Sequence, residues 1–129
     1  MDWIKASGKI EVNNGVRIAT GIDICKYYNS FIKRELKINP QLPLYGAHVT
    51  LASEKVHNLV DFSAVLDYHG RSVEFLYLPQ YKTGDVNFWL PVSCEIYHEI
   101  KWILGFNERY NWRGLHLTIS NLKYERKLG

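Results

Sequence analysis

Apolar and polar residues alternate along "GKIEV" (Gly8 to Val12) and again along "VRIATGID" (Val16 to Asp23), which predicts two strands. Between them stands Asn13-Asn14-Gly15, the chemistry of a tight hairpin turn whose central residues need positive φ. The period then becomes helical: Ile24, Tyr28, Phe31, Ile32 and Leu36 share one face of a helix that Asp23 is placed to cap and that ends near Lys37. Two prolines in "NPQLP" (Asn39 to Pro43) predict a loop, and "YGAHVTLAS" (Tyr45 to Ser53) follows as a strand. Residues Glu54 to Gly70 fit neither period over their full length. "RSVEFLYL" (Arg71 to Leu78) and "VNFWLPV" (Val86 to Val92) alternate again, and they are expected to pair across "PQYKTGD", with Pro91 marking an edge or an end. Ser93 is placed to cap a second helix with Ile96, Ile100, Ile103 and Leu104 on its buried face and Gly105 past its end. A polar and aromatic loop (Asn107 to Gly114) leads to a last strand, "LHLTISNL" (Leu115 to Leu122).

This order of elements repeats. "VRIATGID", helix, loop, "HVTLAS" is matched by "VNFWLPVS", helix, loop, "HLTISN", with Val16 and Val86 lying 32 and 30 residues before His48 and His116. Cys25 and Cys94 occupy equivalent places near the helix starts. Outside the His-x-Thr tripeptides the halves share almost no identity, so the match is one of spacing. The expected architecture is one α+β domain spanning residues 1–129, built from pseudo-repeats at about 8–53 and 71–122. Each repeat contributes an antiparallel sheet and a helix to a bilobal fold with a central cleft.

Composition narrows the function classes. Apolar residues make up 47% and charged residues 22%, ordinary globular proportions. No run approaches the roughly 20 apolar residues of a membrane span, and "MDWIKASGK" lacks the layout of a secretory signal, so a cytoplasmic protein is expected. The two cysteines show no CxxC spacing, which predicts buried fillers and neither a zinc site nor a disulfide framework. A net charge of +3 is too mild for coating duplex DNA but suits one anionic ligand or a short oligonucleotide.

In a strand, alternate side chains share a face, so His48 and Thr50 stand together opposite Val49 and Leu51. The same rule places His116, Thr118 and Ser120 together, opposite Leu115, Leu117 and Ile119. Two imidazoles and two hydroxyls suit a phosphodiester. One histidine takes the proton of the attacking hydroxyl or water, the other protonates the leaving oxygen, and the threonines donate to the non-bridging oxygens. That scheme calls for no metal and no cofactor.

His48-Val49-Thr50-Leu51 and His116-Leu117-Thr118-Ile119, on repeat-equivalent strands, resemble the paired His-x-(Thr/Ser) signature of the two-histidine (2H) phosphoesterase superfamily. That resemblance implies metal-independent cleavage of a phosphodiester, with His48 and His116 as the acid–base pair and Thr50 and Thr118 as phosphate ligands. Members include RNA 2′,3′-cyclic phosphodiesterases and viral anti-CBASS enzymes that cut cyclic oligonucleotide immune signals. Both substrate classes, a cyclic oligonucleotide or a 2′,3′-cyclic phosphate of RNA, therefore stay open, and so does a silent module that sequesters its nucleotide. Tyr45 and Trp112, in loops ahead of the motif strands, Trp89, on the opposite face from Phe88 and Leu90, and Lys123, after the second motif, are further candidates for substrate binding. His57, His69 and His98 have no symmetric counterpart and are expected on the surface.

Overall fold

The computed structural model describes residues 2–54, 61–106 and 114–122. Among these residues, seven strands and two α-helices follow one another as β1 (Ile4–Val12), β2 (Gly15–Ala19), α1 (Asp23–Leu36), β3 (His48–Ser53), β4 (Ser72–Tyr77), β5 (Lys82–Thr83), β6 (Asn87–Ser93), α2 (Glu95–Leu104) and β7 (His116–Asn121). A short 3-10 helix, Ser63–Tyr68, occupies part of the stretch that fits neither period. The class is α+β, as expected.

The two separate sheets are not what forms. All strands join one antiparallel sheet in the order β4-β1-β2-β3-β7-β6-β5, and β4 also pairs with β6, which closes it. The seams are thin: β3 meets β7 at the single register pair Val49 with Leu117, and β4 meets β6 only at Leu76 with Ser93 and Tyr77 with Val92. Between these two seams the ladders are longer, six pairs for β1 with β4 and five for β6 with β7. Register between strands this far apart in sequence is a tertiary property, invisible to local periodicity.

The expected antiparallel pairing of β4 with β6 forms, but only over two register pairs. β4 takes β1 as its main partner, and β5 forms the local hairpin with β6 through Lys82 with Trp89 and Thr83 with Phe88. Pro91 is neither at an edge nor at an end; it lies within β6 opposite His116. On the other edge of β6, β5 reaches Trp89 and β4 pairs from Val92, and between them the Pro91 carbonyl accepts the Leu78 N–H at 3.0 Å, so the proline removes one donor without ending the strand.

Both helices cover the apolar face of the sheet, crosswise with respect to the repeats: α1 packs on β7, and α2 packs on β3 and the 3-10 helix. Their buried stripes are rotated from expectation. In α1 the buried residues are Cys25, Tyr28, Asn29 and Ile32, while Phe31 is 39% exposed and Leu36 also faces solvent. The cause is polar: Ser120 Oγ donates to Asn29 Oδ1 at 2.5 Å, and the Cys25 thiol reaches the Thr118 carbonyl at 3.5 Å. A buried hydrogen-bonded amide can hold a core position that apolar counting gives to a phenylalanine. In α2, Tyr97 and Ile100 are buried, Ile96 and Leu104 pack against the core, and Ile103 is partly exposed.

Neither helix uses the expected cap. Asp23 is the first helical residue after Ile22, and Cys94, not Ser93, precedes α2; no side-chain cap bond forms at either end. Both helices end in left-handed residues, Lys37 and the expected Gly105.

Candidate functional site

Val49 and Leu117 are fully buried and directly paired, so their flanking residues must point the other way. His48 and Thr50 therefore stand beside His116 and Thr118 on one face of two adjacent strands, as the two motifs predict. Neither threonine hydroxyl has a hydrogen-bond partner among the described residues. Ser120 does not join them. In β7 the ladder skips from Ser120 opposite Phe88 to Thr118 opposite Trp89, a bulge at Ile119 that turns Ser120 into the core. The same bulge recurs in β3, where Ala52 faces Val16 and Thr50 faces Arg17, and Leu51 is the extra residue. The repeat thus extends to a backbone irregularity directly after each motif threonine, and in each strand the polar face ends there.

A second equivalence holds the histidines. His48 Nδ1 lies 3.3 Å from the Gly46 carbonyl and His116 Nδ1 lies 2.9 Å from that of Gly114. A carbonyl only accepts, so Nδ1 carries the proton in both rings and Nε2 carries the lone pair when the ring is neutral. Gly46 and Gly114 have φ of 82° and 68°, a conformation that aims each carbonyl back at the ring two residues on and that favours glycine. The true repeat is therefore Gly-x-His-x-Thr, legible in "GAHVT" and "GLHLT". Gly46→Ala and Gly114→Ala are each expected to cost about 1–2 kcal/mol of stability, the strain of placing a Cβ in the left-handed region. They also loosen the ring, which nitrogen NMR of the imidazoles reads as a shift from the Nδ1–H tautomer; spectra identical to wild type would overturn this role.

The repeat breaks at the neighbours. Arg17 faces Thr50 across β2 and β3, and Trp89 occupies the matching place opposite Thr118 across β6 and β7. Trp89 is only 3% exposed, and its ring meets that of His116 edge to face at 6.3 Å between centroids. Arg17 is a site residue that the alternation analysis missed, although it is the polar interruption between Val16 and Ile18 in a strand whose hairpin register was predictable. Its Nε donates to Glu11 Oε1 at 2.7 Å, and both side chains are 37% exposed. A solvent-screened pair of this kind is worth at most about 1 kcal/mol, against about 1.5–3 kcal/mol for each fully buried Leu or Ile, so stability does not account for it.

A cleft of about 210 Å³ runs from His48 and Thr50 past Arg17 to Asn13, Asn14 and Ser53. A larger cavity of about 560 Å³ between α1 and β4, lined by Tyr27, Phe31 and Tyr77, holds the carboxylate of Asp23 but no acid–base pair. Tyr45 is 79% exposed on the turn before Gly46 and makes no ring contact or hydrogen bond among the described residues. Trp112, Lys123 and His57 lie outside the described residues. His69 and His98 are exposed, as expected, and His69 Nδ1 accepts the Val12 N–H at 3.0 Å.

Burial lowers the pKa of His48 below its ordinary value of 6.5, against the opposing pull of the Gly46 carbonyl; the nearby Arg17 charge lowers it further and Glu11 partly offsets that. Burial pushes the Cys25 thiol up to about 11 and raises that of Cys94, so neither cysteine is a thiolate nucleophile at neutral pH. Among the described residues, no group of three or more His, Cys, Asp or Glu is placed to hold a metal ion, and no helix is long and apolar enough to cross a membrane. No family model, curated protein or solved structure matches this chain.

Proposed function

We propose that this protein is a phosphodiesterase that cleaves a nucleotide or oligonucleotide phosphodiester by histidine–histidine acid–base catalysis, in the manner of the two-histidine phosphoesterases it resembles. The observation that carries the reading is the matched pair of Gly-x-His-x-Thr strands, joined at Val49 and Leu117 so that both histidines and both threonines share one face. Sequestration alone would need neither a second imidazole nor a carbonyl fixing the tautomer of each.

The environment of His48 supports one direction of proton transfer. His48, held neutral by burial and by Arg17, is the general base whose Nε2 takes the proton of the attacking water or hydroxyl. His116, the other member of the pair, is the general acid that protonates the leaving oxygen. Thr50 and Thr118 donate to the non-bridging oxygens as negative charge builds there.

The test incubates the purified protein, in EDTA, with cyclic dinucleotides, cyclic trinucleotides and 2′,3′-cyclic nucleotides, and separates the products by chromatography. Turnover of at least one is expected, and binding without turnover of any would favour a sequestering module. Because only neutral His48 serves as base, the acidic limb of the kcat/KM profile is expected to fall below pH 6.5, on the side to which its pKa is displaced. A limb above 6.5 would overturn the assignment of base and acid.

A further inference from the structure

We propose that the cleft beside His48 is a subsite for a second phosphate, so that the substrate is an oligonucleotide, cyclic or linear, with a phosphodiester next to the scissile one. This rests on the phosphodiesterase reading above.

The polar face does not stop at the motif strands. Across β3, β2 and β1, Thr50 is followed by Arg17 and then Glu11, and His48 by Ala19 and then Lys9. Residues directly opposite one another share a face, so Lys9, Glu11 and Arg17 extend the histidine and threonine surface by two strands. Ala19 keeps the lane between His48 and Lys9 open. Two cations against one carboxylate leave this extension with net positive charge.

Glu11 decides where the arginine can act. Strands lie about 4.8 Å apart, so Glu11 is about 10 Å from Thr50 across the sheet. A guanidinium tethered to Glu11 through Nε is drawn away from a phosphate bound at Thr50. Its two terminal amino groups have no partner among the described residues, and a planar fork held at one corner presents the other donors to a phosphate. At the end of the cleft, Asn13, Asn14 and Ser53 add neutral hydrogen-bonding groups. A mononucleoside 2′,3′-cyclic phosphate has one phosphate and leaves this surface unused; an oligonucleotide fills it.

The test compares kcat/KM for wild type, Arg17→Gln and Arg17→Lys on three substrates: a mononucleoside 2′,3′-cyclic phosphate, a dinucleotide ending in a 2′,3′-cyclic phosphate, and a cyclic trinucleotide. Wild type is expected to prefer a substrate with more than one phosphate. In Arg17→Gln that preference shrinks by about 10- to 100-fold, the size of a charge-assisted hydrogen bond, mainly through KM. Arg17→Lys restores part of it and keeps the salt dependence. A preference unchanged in Arg17→Gln, or a wild type that favours the mononucleotide, would overturn the subsite. Fluorescence titration of a His48→Ala protein with the same ligands separates the two readings. Oligonucleotide binding that weakens in the doubly substituted His48→Ala, Arg17→Gln protein, with no wild-type turnover, would uphold the subsite and sink the catalytic reading; no binding at all would sink both.

Discussion

His48→Ala or His116→Ala is expected to lower kcat on a phosphodiester by about 10²- to 10⁴-fold, the usual contribution of a positioned general acid or base. The two losses should not add. Each histidine completes the proton transfer that the other begins, so the double variant is expected to fall little below the worse single one. Neither ring is central to the core: both are half-buried, and the packing beneath them comes from Val49 and Leu117. Circular dichroism and thermal melts should therefore stay close to wild type, separating lost chemistry from lost fold. The variants are also expected to differ in pH response. Without His48, the base, the acidic limb disappears, and without His116, the acid, the basic limb disappears. Residual activity within tenfold of wild type in either variant would sink the acid–base pair.

Local chemistry made much of this molecule readable before its structure was known. The hairpin forms at Asn13-Asn14-Gly15 as expected, although none of the three has positive φ, and both helices follow their apolar periods without the caps expected of Asp23 and Ser93, while the Gly105 stop is the one expected. Strand alternation sufficed to put His48 with Thr50 and His116 with Thr118. What lay beyond reach was set by partners distant in sequence. Closure into one sheet depends on β4 pairing with β1 as well as with its nearer neighbour β6, and no periodicity encodes the first of these partners. The buried Asn29 and Cys25 stripe of α1 depends on a bulge in β7, about ninety residues away, that turns Ser120 inward. Arg17 and Glu11 were hidden differently: each looks like an ordinary solvent-facing strand residue until the β1–β2–β3 register sets Arg17 beside Thr50 and Glu11 beyond it. The glycines of the two motifs needed only closer comparison of the repeats.

Thr50→Val and Thr118→Val are expected to lower kcat by about 10²- to 10³-fold each while moving KM little, because the lost hydrogen bonds strengthen as charge develops on the non-bridging oxygens. Valine keeps the branched shape and strand preference of threonine and removes only the hydroxyl, so the comparison isolates the donor. The fold is not at risk through these side chains: Thr50 is exposed, and the contact made by Thr118 to Cys25 uses its backbone carbonyl. The two effects should nevertheless be unequal. Thr118 is half-buried opposite Trp89, where water is scarce and a hydrogen bond to a developing anion is stronger, whereas Thr50 lies in the more open part of the cleft beside Arg17. The larger loss is thus expected in Thr118→Val. Serine at either position retains the donor and should recover most of the activity, an outcome that a purely structural threonine would not give. If valine and serine variants of both positions behave alike in kcat, the hydroxyls take no part in the reaction, and charge stabilisation would fall to the imidazolium of His116 alone.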